Sequence, residues 1–243
     1  MGLGRLIAVL WCGLALTACT TTPPTPEMIA NNDPYEPINR QMLELNGKID
    51  RYTVIPTVAI YFTLVPEPGR KAVHRFLENI SLPTTFVNDL LEGQLTRGGQ
   101  TLARFVINTT IGFGGILDPA GHMKIPDHGE DFGVTLGSWG VDEGPYVVLP
   151  FLGPSNPRDA FGLAADVALD PTNYIAFKQH LWWDAGRWYF TVLDLRGQTF
   201  QTVQTIQRSS VDYYSALRSF YRQLRANAVN TVRPQKTQEL PDF

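Results

Sequence analysis

The sequence predicts a mainly α-helical protein whose helices are interrupted near the middle by an irregular Gly/Pro-rich hairpin. Three observations carry this. Apolar residues recur at helical spacing, first at Ile38, Met42, Leu45, Ile49 and Tyr52, in steps of four, three, four and three. No stretch sustains the apolar–polar alternation that would argue for a β-barrel. The chain is rich in punctuation, with 21 Gly and 18 Pro, and their density between Pro126 and Pro157 leaves no room for a long helix or a central strand.

Composition narrows the function classes. At 243 residues the chain holds one or two domains. It is 44% apolar and 18% charged, with a net charge of −3, which excludes a disordered charged tail and gives no mark of a nucleic-acid binder. Two Cys exclude a disulfide scaffold and a Cys-rich zinc site. The longest apolar runs fall short of the roughly 20 residues that a membrane-spanning helix needs.

The N-terminus reads as an address. Arg5 is the one positive charge of the leader, an apolar stretch covers 6–16, and Leu16-Thr17-Ala18-Cys19 follows. Small residues ahead of Cys resemble the lipobox of bacterial lipoproteins. On that reading 1–18 is a signal peptide, and Cys19 takes a diacylglycerol on its thiol and an acyl chain on its new amine. The other reading is a plain signal peptide with an incidental Cys. Cys12 does not serve, because bulky Trp11 precedes it and too little apolar sequence lies upstream. Cleavage removes Arg5 and Cys12, leaving 19 basic against 23 acidic residues, a net charge of −4. Several acyl chains at about 0.8 kcal/mol per buried CH₂ anchor stably where a single chain is marginal.

The rest of the chain follows in order. Residues 19–32 are polar and Pro-rich, a tether. A helix then starts with Asp33 as N-cap, Pro34 at its first position and Glu36 closing a capping box. Residues 54–65 are an uncharged run of about 18 Å as a helix, either a buried core helix or a segment lying in one membrane leaflet. A helix over 69–80 is expected to break at Pro83, with a short helix over 84–91. A further helix places Leu102, Phe105, Val106 and Thr109 on one side and Arg97 and Arg104 elsewhere. Residues 158–169 form a helix stopped by Asp170-Pro171. Trp182, Trp183 and Trp188 crowd around Gly186-Arg187 and suit either a membrane-interface belt or core packing. Long helical patterns fill the C-terminal third, with Gly197 a possible kink. The main domain spans 33–226, and 227–243 is a flexible tail.

Catalytic motifs are missing: the chain has no HExxH, GxSxG, GxxxxGK[ST] or CxxC. His74, His122, His128 and His180 have no metal-ligand spacing. His128 beside Glu130 and Asp131 is the one compact His/acid group. It reads as a charged turn, or as part of a lipid hydrolase if the fold brings a Ser or Thr nucleophile to it. No catalytic residue, metal or cofactor is expected.

Several ordered segments carry a family resemblance. Asp33-Pro34-Tyr35-Glu36-Pro37-Ile38-Asn39-Arg40 matches a DPxExxNR opening. Leu77-Glu78-Asn79-Ile80-Ser81-Leu82-Pro83, Ala103-Arg104-Phe105-Val106-Ile107-Asn108 and Glu130-Asp131-Phe132-Gly133-Val134-Thr135-Leu136-Gly137 follow, then Gly144-Pro145-Tyr146-Val147-Val148-Leu149-Pro150 and Arg158-Asp159. Together they resemble the MlaA (VacJ) family of outer-membrane lipoproteins over about 33–224. One departure is that the family often has Phe where Leu43 and Leu45 stand here.

The resemblance implies a ring-shaped assembly of amphipathic helices embedded in one membrane leaflet, with an amphipathic channel through the ring. It implies a protein that extracts mislocalised phospholipid from the outer leaflet and hands it to a soluble periplasmic carrier (MlaC-like) for retrograde transport, beside a trimeric porin. Thr20, rather than Asp, after Cys19 is consistent with the periplasmic leaflet of the outer membrane. By position, Leu45 and Asn46 fall on the family's channel-gating motif, and Arg187 matches a basic residue near the gate that suits an anionic phosphate. Arg187 has a second reading, a snorkelling cation beside Trp188. Gly137, Gly140 and Gly144 give the central hairpin mobility or shape its turns. A structural lipoprotein that organises porins and a lipid hydrolase are the competing classes.

Overall fold

The computed structural model describes residues 23–174 and 180–233. Cys19, the signal segment and the last ten residues lie outside this range. The fold is mainly helical, and it differs from the sequence expectation first at the tether. There a short helix, α1 (Pro26–Ala30), is capped by Thr25, whose Oγ1 accepts from the Met28 N–H at 3.3 Å.

Asp33 does not cap the next helix. It is fully buried, and α2 (Glu36–Ile49) begins after Tyr35 without a side-chain cap. The packed face of α2 carries Asn39, Met42 and Leu43, the last two against a cluster of Tyr146, Val148 and Tyr214. Leu45 and Tyr52 are 46% and 75% exposed, so the apolar stripe is only partly the buried stripe. A π-helical turn (Asp50–Val54) leads into α3 (Ile55–Leu64). The widened turn lies just before Pro56, which cannot donate to the helical ladder and crowds the carbonyl four residues back.

α4 (Glu67–Leu91) runs unbroken through Pro83. The lost hydrogen bond is tolerated because one face of α4 is locked by burial of Asn79, Leu82, Thr85, Asn88 and Asp89. A turn with Gly93 at φ +74° reverses the chain into α5 (Leu95–Thr110), and the two helices pack along each other. α5 has the two faces its periodicity indicates, and the structure decides which of them is buried. It buries Gly98, Thr101, Arg104 and Asn108, while Leu95, Leu102 and Val106 are exposed. The helix is polar inside and apolar outside.

α6 (Pro119–His122) and α7 (Phe132–Ser138) are short, and each is capped by the Asp before it. The expected hairpin contains a brief antiparallel ladder, β1 (Val147–Leu149) on β2 (Gly153–Ser155), with Val148 opposite Pro154. α8 (Pro157–Leu169) is capped by Asn156, and a 3₁₀ turn (Pro171–Tyr174) follows. α9 (His180–Ser209) continues through Gly197 without interruption. A Cβ there would stand 2.8 Å from the Phe62 ring, so the glycine lets α3 approach. α10 (Tyr213–Val232) extends past the expected domain end at 226, because Val229 and Val232 pack on Val134.

α4 packs on α7, α7 on α10, α10 on α9 and α9 back on α4, so the helices close a circuit. Polarity is inverted across it. Among the described residues, the buried side chains comprise fifteen polar or charged and eleven apolar ones, and large apolar side chains are spread over the exterior. An ordinary soluble domain has the opposite bias. No described helix is long and apolar enough to cross a membrane.

Candidate functional site

A cavity of about 500 Å³ opens where α4, α8 and the first half of α9 meet the segment entering α7. α4 contributes Ser81, Thr84 and Thr85, α8 contributes Asp166 and Val167, and α9 contributes Arg187. The segment entering α7 adds Glu130 and Asp131, and Asp170 closes the wall.

The wall is charged and mostly paired. Arg187 donates to Asp170 and to the Thr172 hydroxyl at 3.0 Å. Glu130 meets Arg97, yet burial pushes its carboxyl up to about 7 against the pull of that guanidinium. Asp131 caps α7 and takes a forked pair of bonds from Arg225 at 2.6 and 2.8 Å. Asp166 accepts from the Asn88 amide at 3.0 Å and from the Phe132 N–H at 3.0 Å, and burial raises its carboxyl too.

The sequence-predicted residues divide. Arg187 lines the cavity, with its charge engaged by Asp170. Asn46 does not line it. Its amide donates to Leu149 O at 2.8 Å and its carbonyl accepts from Phe151 N at 2.8 Å, gripping the hairpin turn. Gly137 sits inside α7, where a Cβ would stand 2.5 Å from Val229, so it serves close packing. Gly140 (φ +93°) and Gly144 (φ +72°) occupy left-handed turn positions. Trp182 and Trp188 are exposed, whereas Trp183 packs edge-on against Phe76.

Comparison with known proteins decides the family. The MlaA lipoprotein family profile matches residues 31–228. The chain belongs to the MlaA lipoprotein family. It is 33% identical over 216 residues to the intermembrane phospholipid transport system lipoprotein MlaA of Escherichia coli K12, covering 87% of this chain and 83% of that one. It is 29% identical to the protein of the same name from Haemophilus influenzae, over 98% of this chain and 95% of that one. A solved chain described under the structural basis for maintenance of bacterial outer membrane lipid asymmetry superimposes with a TM-score of 0.72 at 34% identity, covering 82% of this chain and 99% of that one.

In this MlaA-family chain, the ring of His128 is engaged by Asp89 and Thr101. Its Nε2 lies 3.0 Å from Asp89 and 3.1 Å from the Thr101 hydroxyl. That hydroxyl donates to Asp89 at 2.6 Å. A hydrolytic triad uses the two imidazole nitrogens separately, one toward the nucleophile and one toward the acid. Here one nitrogen faces both, the hydroxyl is spent on the carboxylate, and Thr101 is 1% exposed. The arrangement is a buried polar lock between α4, α5 and the following loop.

Sequence reasoning missed the inward polar network. Asp33 accepts from Asn39 at 2.9 Å, from the Tyr214 hydroxyl at 2.5 Å and from Arg218 at 2.6 Å. Arg104 reaches Ile125 O at 2.9 Å, and Asn108 reaches Asp118 at 2.9 Å. A signal existed. Arg97, Thr101, Arg104 and Asn108 recur in steps of four, three and four, a polar stripe at helical spacing.

Proposed function

We propose that this chain is a lipid-anchored outer-membrane protein that takes mislocalised phospholipid from the outer leaflet, passes it through the interior of its helical circuit and releases it to a soluble periplasmic carrier, beside a trimeric porin. The observation that carries the reading is the inverted polarity of the fold around a charged cavity.

The physical problem is the headgroup. Moving an ionic group through hydrocarbon costs at least several kcal/mol. A ring with a polar interior solvates the headgroup while an apolar exterior stays among acyl chains. Ser81, Thr84, Asp166 and Arg187 supply the first condition. Leu102 and Val106 on α5, Ile60 and Leu64 on α3, and Trp182 and Trp188 on α9 supply the second. α9 also changes character along its length. Leu181, Trp182, Trp188, Tyr189 and Phe190 are exposed in its first half, and after Leu195 the exposed residues of its second half include Gln198, Gln201 and Gln207. That gradient suits a helix leaving the membrane interface for water.

The names borne by the relatives from Escherichia coli and Haemophilus influenzae, as lipoproteins of an intermembrane phospholipid transport system, support the same reading. Acylation at Cys19 supplies the anchor. The test is deletion of the gene followed by measurement of outer-leaflet phospholipid and detergent sensitivity. Both are expected to rise, Cys19→Ala is expected to mimic the deletion, and in-cell crosslinking is expected to capture a porin and phospholipid together. Unchanged lipid asymmetry in the deletion strain refutes the proposal. Porin capture without lipid favours a role in organising porins instead.

A further inference from the structure

A second cavity, of about 340 Å³, shares no lining residue with the first and lies where the end of α3, the start of α4 and the middle of α9 meet. Its wall is Tyr61 and Phe62 from α3, Glu67, Arg70, Lys71 and His74 from α4, and Asp194, Gly197 and Gln198 from α9. Tyr61 is 7% exposed, and among the described residues its hydroxyl has no hydrogen-bond partner. A buried hydroxyl without a partner is costly and uncommon. The remaining polar groups are organised. Asp194 Oδ2 is 2.9 Å from both His74 Nδ1 and Gln198 Nε2, and Glu67 is 2.6 Å from Lys71. Arg70 sits 4.0 Å above the Phe62 ring and donates to Phe62 O at 3.1 Å and Val65 O at 3.3 Å, so it also closes the carbonyl end of α3. Among the described residues its other N–H groups make no hydrogen bond.

We infer that this cavity holds the phosphate-bearing headgroup of a membrane phospholipid, a resident lipid on the flank of the ring, separate from the one passing through its interior. The geometry supplies each part. Lys71 and the spare N–H groups of Arg70 meet the phosphate, and the Tyr61 hydroxyl supplies a third donor. The Lys71–Glu67 pair is exposed on both sides, so exchanging it for a phosphate contact costs little. Exposed Ile60, Leu64 and Leu195 on the flanking helices give the acyl chains an apolar path. The missing side chain at Gly197 keeps Phe62 close to α9, which shapes the floor. The inference rests on the proposed membrane location of the chain.

The test is photolabelling of the purified, detergent-solubilised mature protein by a short-chain phosphatidylethanolamine carrying a diazirine, with labelled peptides identified by mass spectrometry. Label is expected on peptides covering residues 61–74 and 194–198. Tyr61→Phe removes only an unpartnered hydroxyl, so the variant is expected to fold as the parent does and to lose labelling there by at least about fivefold. Lys71→Glu, on an exposed side chain, is expected to lower it several-fold and keeps the test decisive if Tyr61→Phe misfolds. Millimolar inorganic phosphate is expected not to compete. Competition by phosphate identifies a free-anion site and overturns the lipid assignment, as does label unaffected by both variants or absent from these peptides. Label at the peptides carrying Asp166 and Arg187 reads the interior route separately. Its loss alone overturns the transport reading and leaves the flank site standing, and the converse pattern does the reverse.

Discussion

Asn39 and Asn46 stand seven residues apart on α2 and hold one β-strand as a neighbouring strand would. Asn39 donates to Tyr146 O at 3.0 Å and accepts from Val148 N at 2.9 Å. Asn46 donates to Leu149 O and accepts from Phe151 N, both at 2.8 Å. Each carboxamide takes the carbonyl of one residue and the N–H of the residue two further on. Seven helical residues rise about 10.5 Å and three strand residues about 10 Å, so the two spacings match. The hairpin is thereby registered on α2 through its backbone.

Asn39 is the costlier of the two to lose. Asn39→Ala leaves Tyr146 O, Val148 N and the fully buried Asp33 each short of a partner, and is expected to destabilise by about 2–4 kcal/mol. Asn46→Ala, nearer the surface, is expected to cost about 1–2 kcal/mol. Asn46→Asp places a carboxylate against Leu149 O and is expected to cost more than alanine. Chemical denaturation of the three variants checks the order.

Asp33 and Arg218 form a buried pair, with Asp33 fully enclosed. Removing one partner strands the other charge. Asp33→Ala is expected to cost about 3–5 kcal/mol. The double variant Asp33→Ala/Arg218→Met is expected to recover part of it, since the stranded guanidinium is gone. A double-mutant cycle measures the coupling.

Glu130 makes stability depend on pH near neutrality. Burial raises its folded carboxyl from 4.5 to about 7. The folded state therefore holds this proton more tightly than the unfolded chain does. The contribution is fully present below about pH 4.5 and is lost as pH rises through about 7. Its size is on the order of 2–3 kcal/mol. Glu92 and Asp166 are raised by burial in the same direction. Melting temperatures between pH 5 and pH 8 are expected to fall in the parent and to fall less in Glu130→Gln.

Gly162 of α8 passes so close to α7 that a Cβ would stand 2.3 Å from Gly133 N and 2.6 Å from its Cα. Backbone cannot swing aside as a side chain can. Gly162→Ala is expected to separate α7 from α8 at a cost of about 3 kcal/mol or more, and to open the cavity wall that both helices support. Loss of cooperative melting, or a large drop in its midpoint, checks this.

The polar interior is the part of the fold least legible in the sequence. Resemblance to a family position is what marks Arg187 in the sequence, and nothing in its spacing pairs it with Asp170. Asn46 falls by resemblance on a gating motif, and nothing in its spacing pairs its amide with the hairpin turn that it holds. Asp33 had every local feature of an N-cap, but three partners, two of them about 180 residues away, claimed its carboxylate. Local preference yields when a buried network satisfies the same group more fully.

From sequence alone follow the helical content, the place of the Gly/Pro-rich hairpin, the lack of a spanning helix among the described residues and the family. These depend on periodicity, on backbone restrictions at Pro and Gly, and on ordered motifs, all of which are local. Tertiary structure alone decided which side of each helix faces inward, that α4 survives Pro83, and where the polar groups converge. Periodicity shows that α5 has two faces. It does not show that Thr101, Arg104 and Asn108 turn in while Leu102 and Val106 turn out, because that choice is made by what surrounds the helix, and the partners that satisfy those polar groups lie far away in the chain.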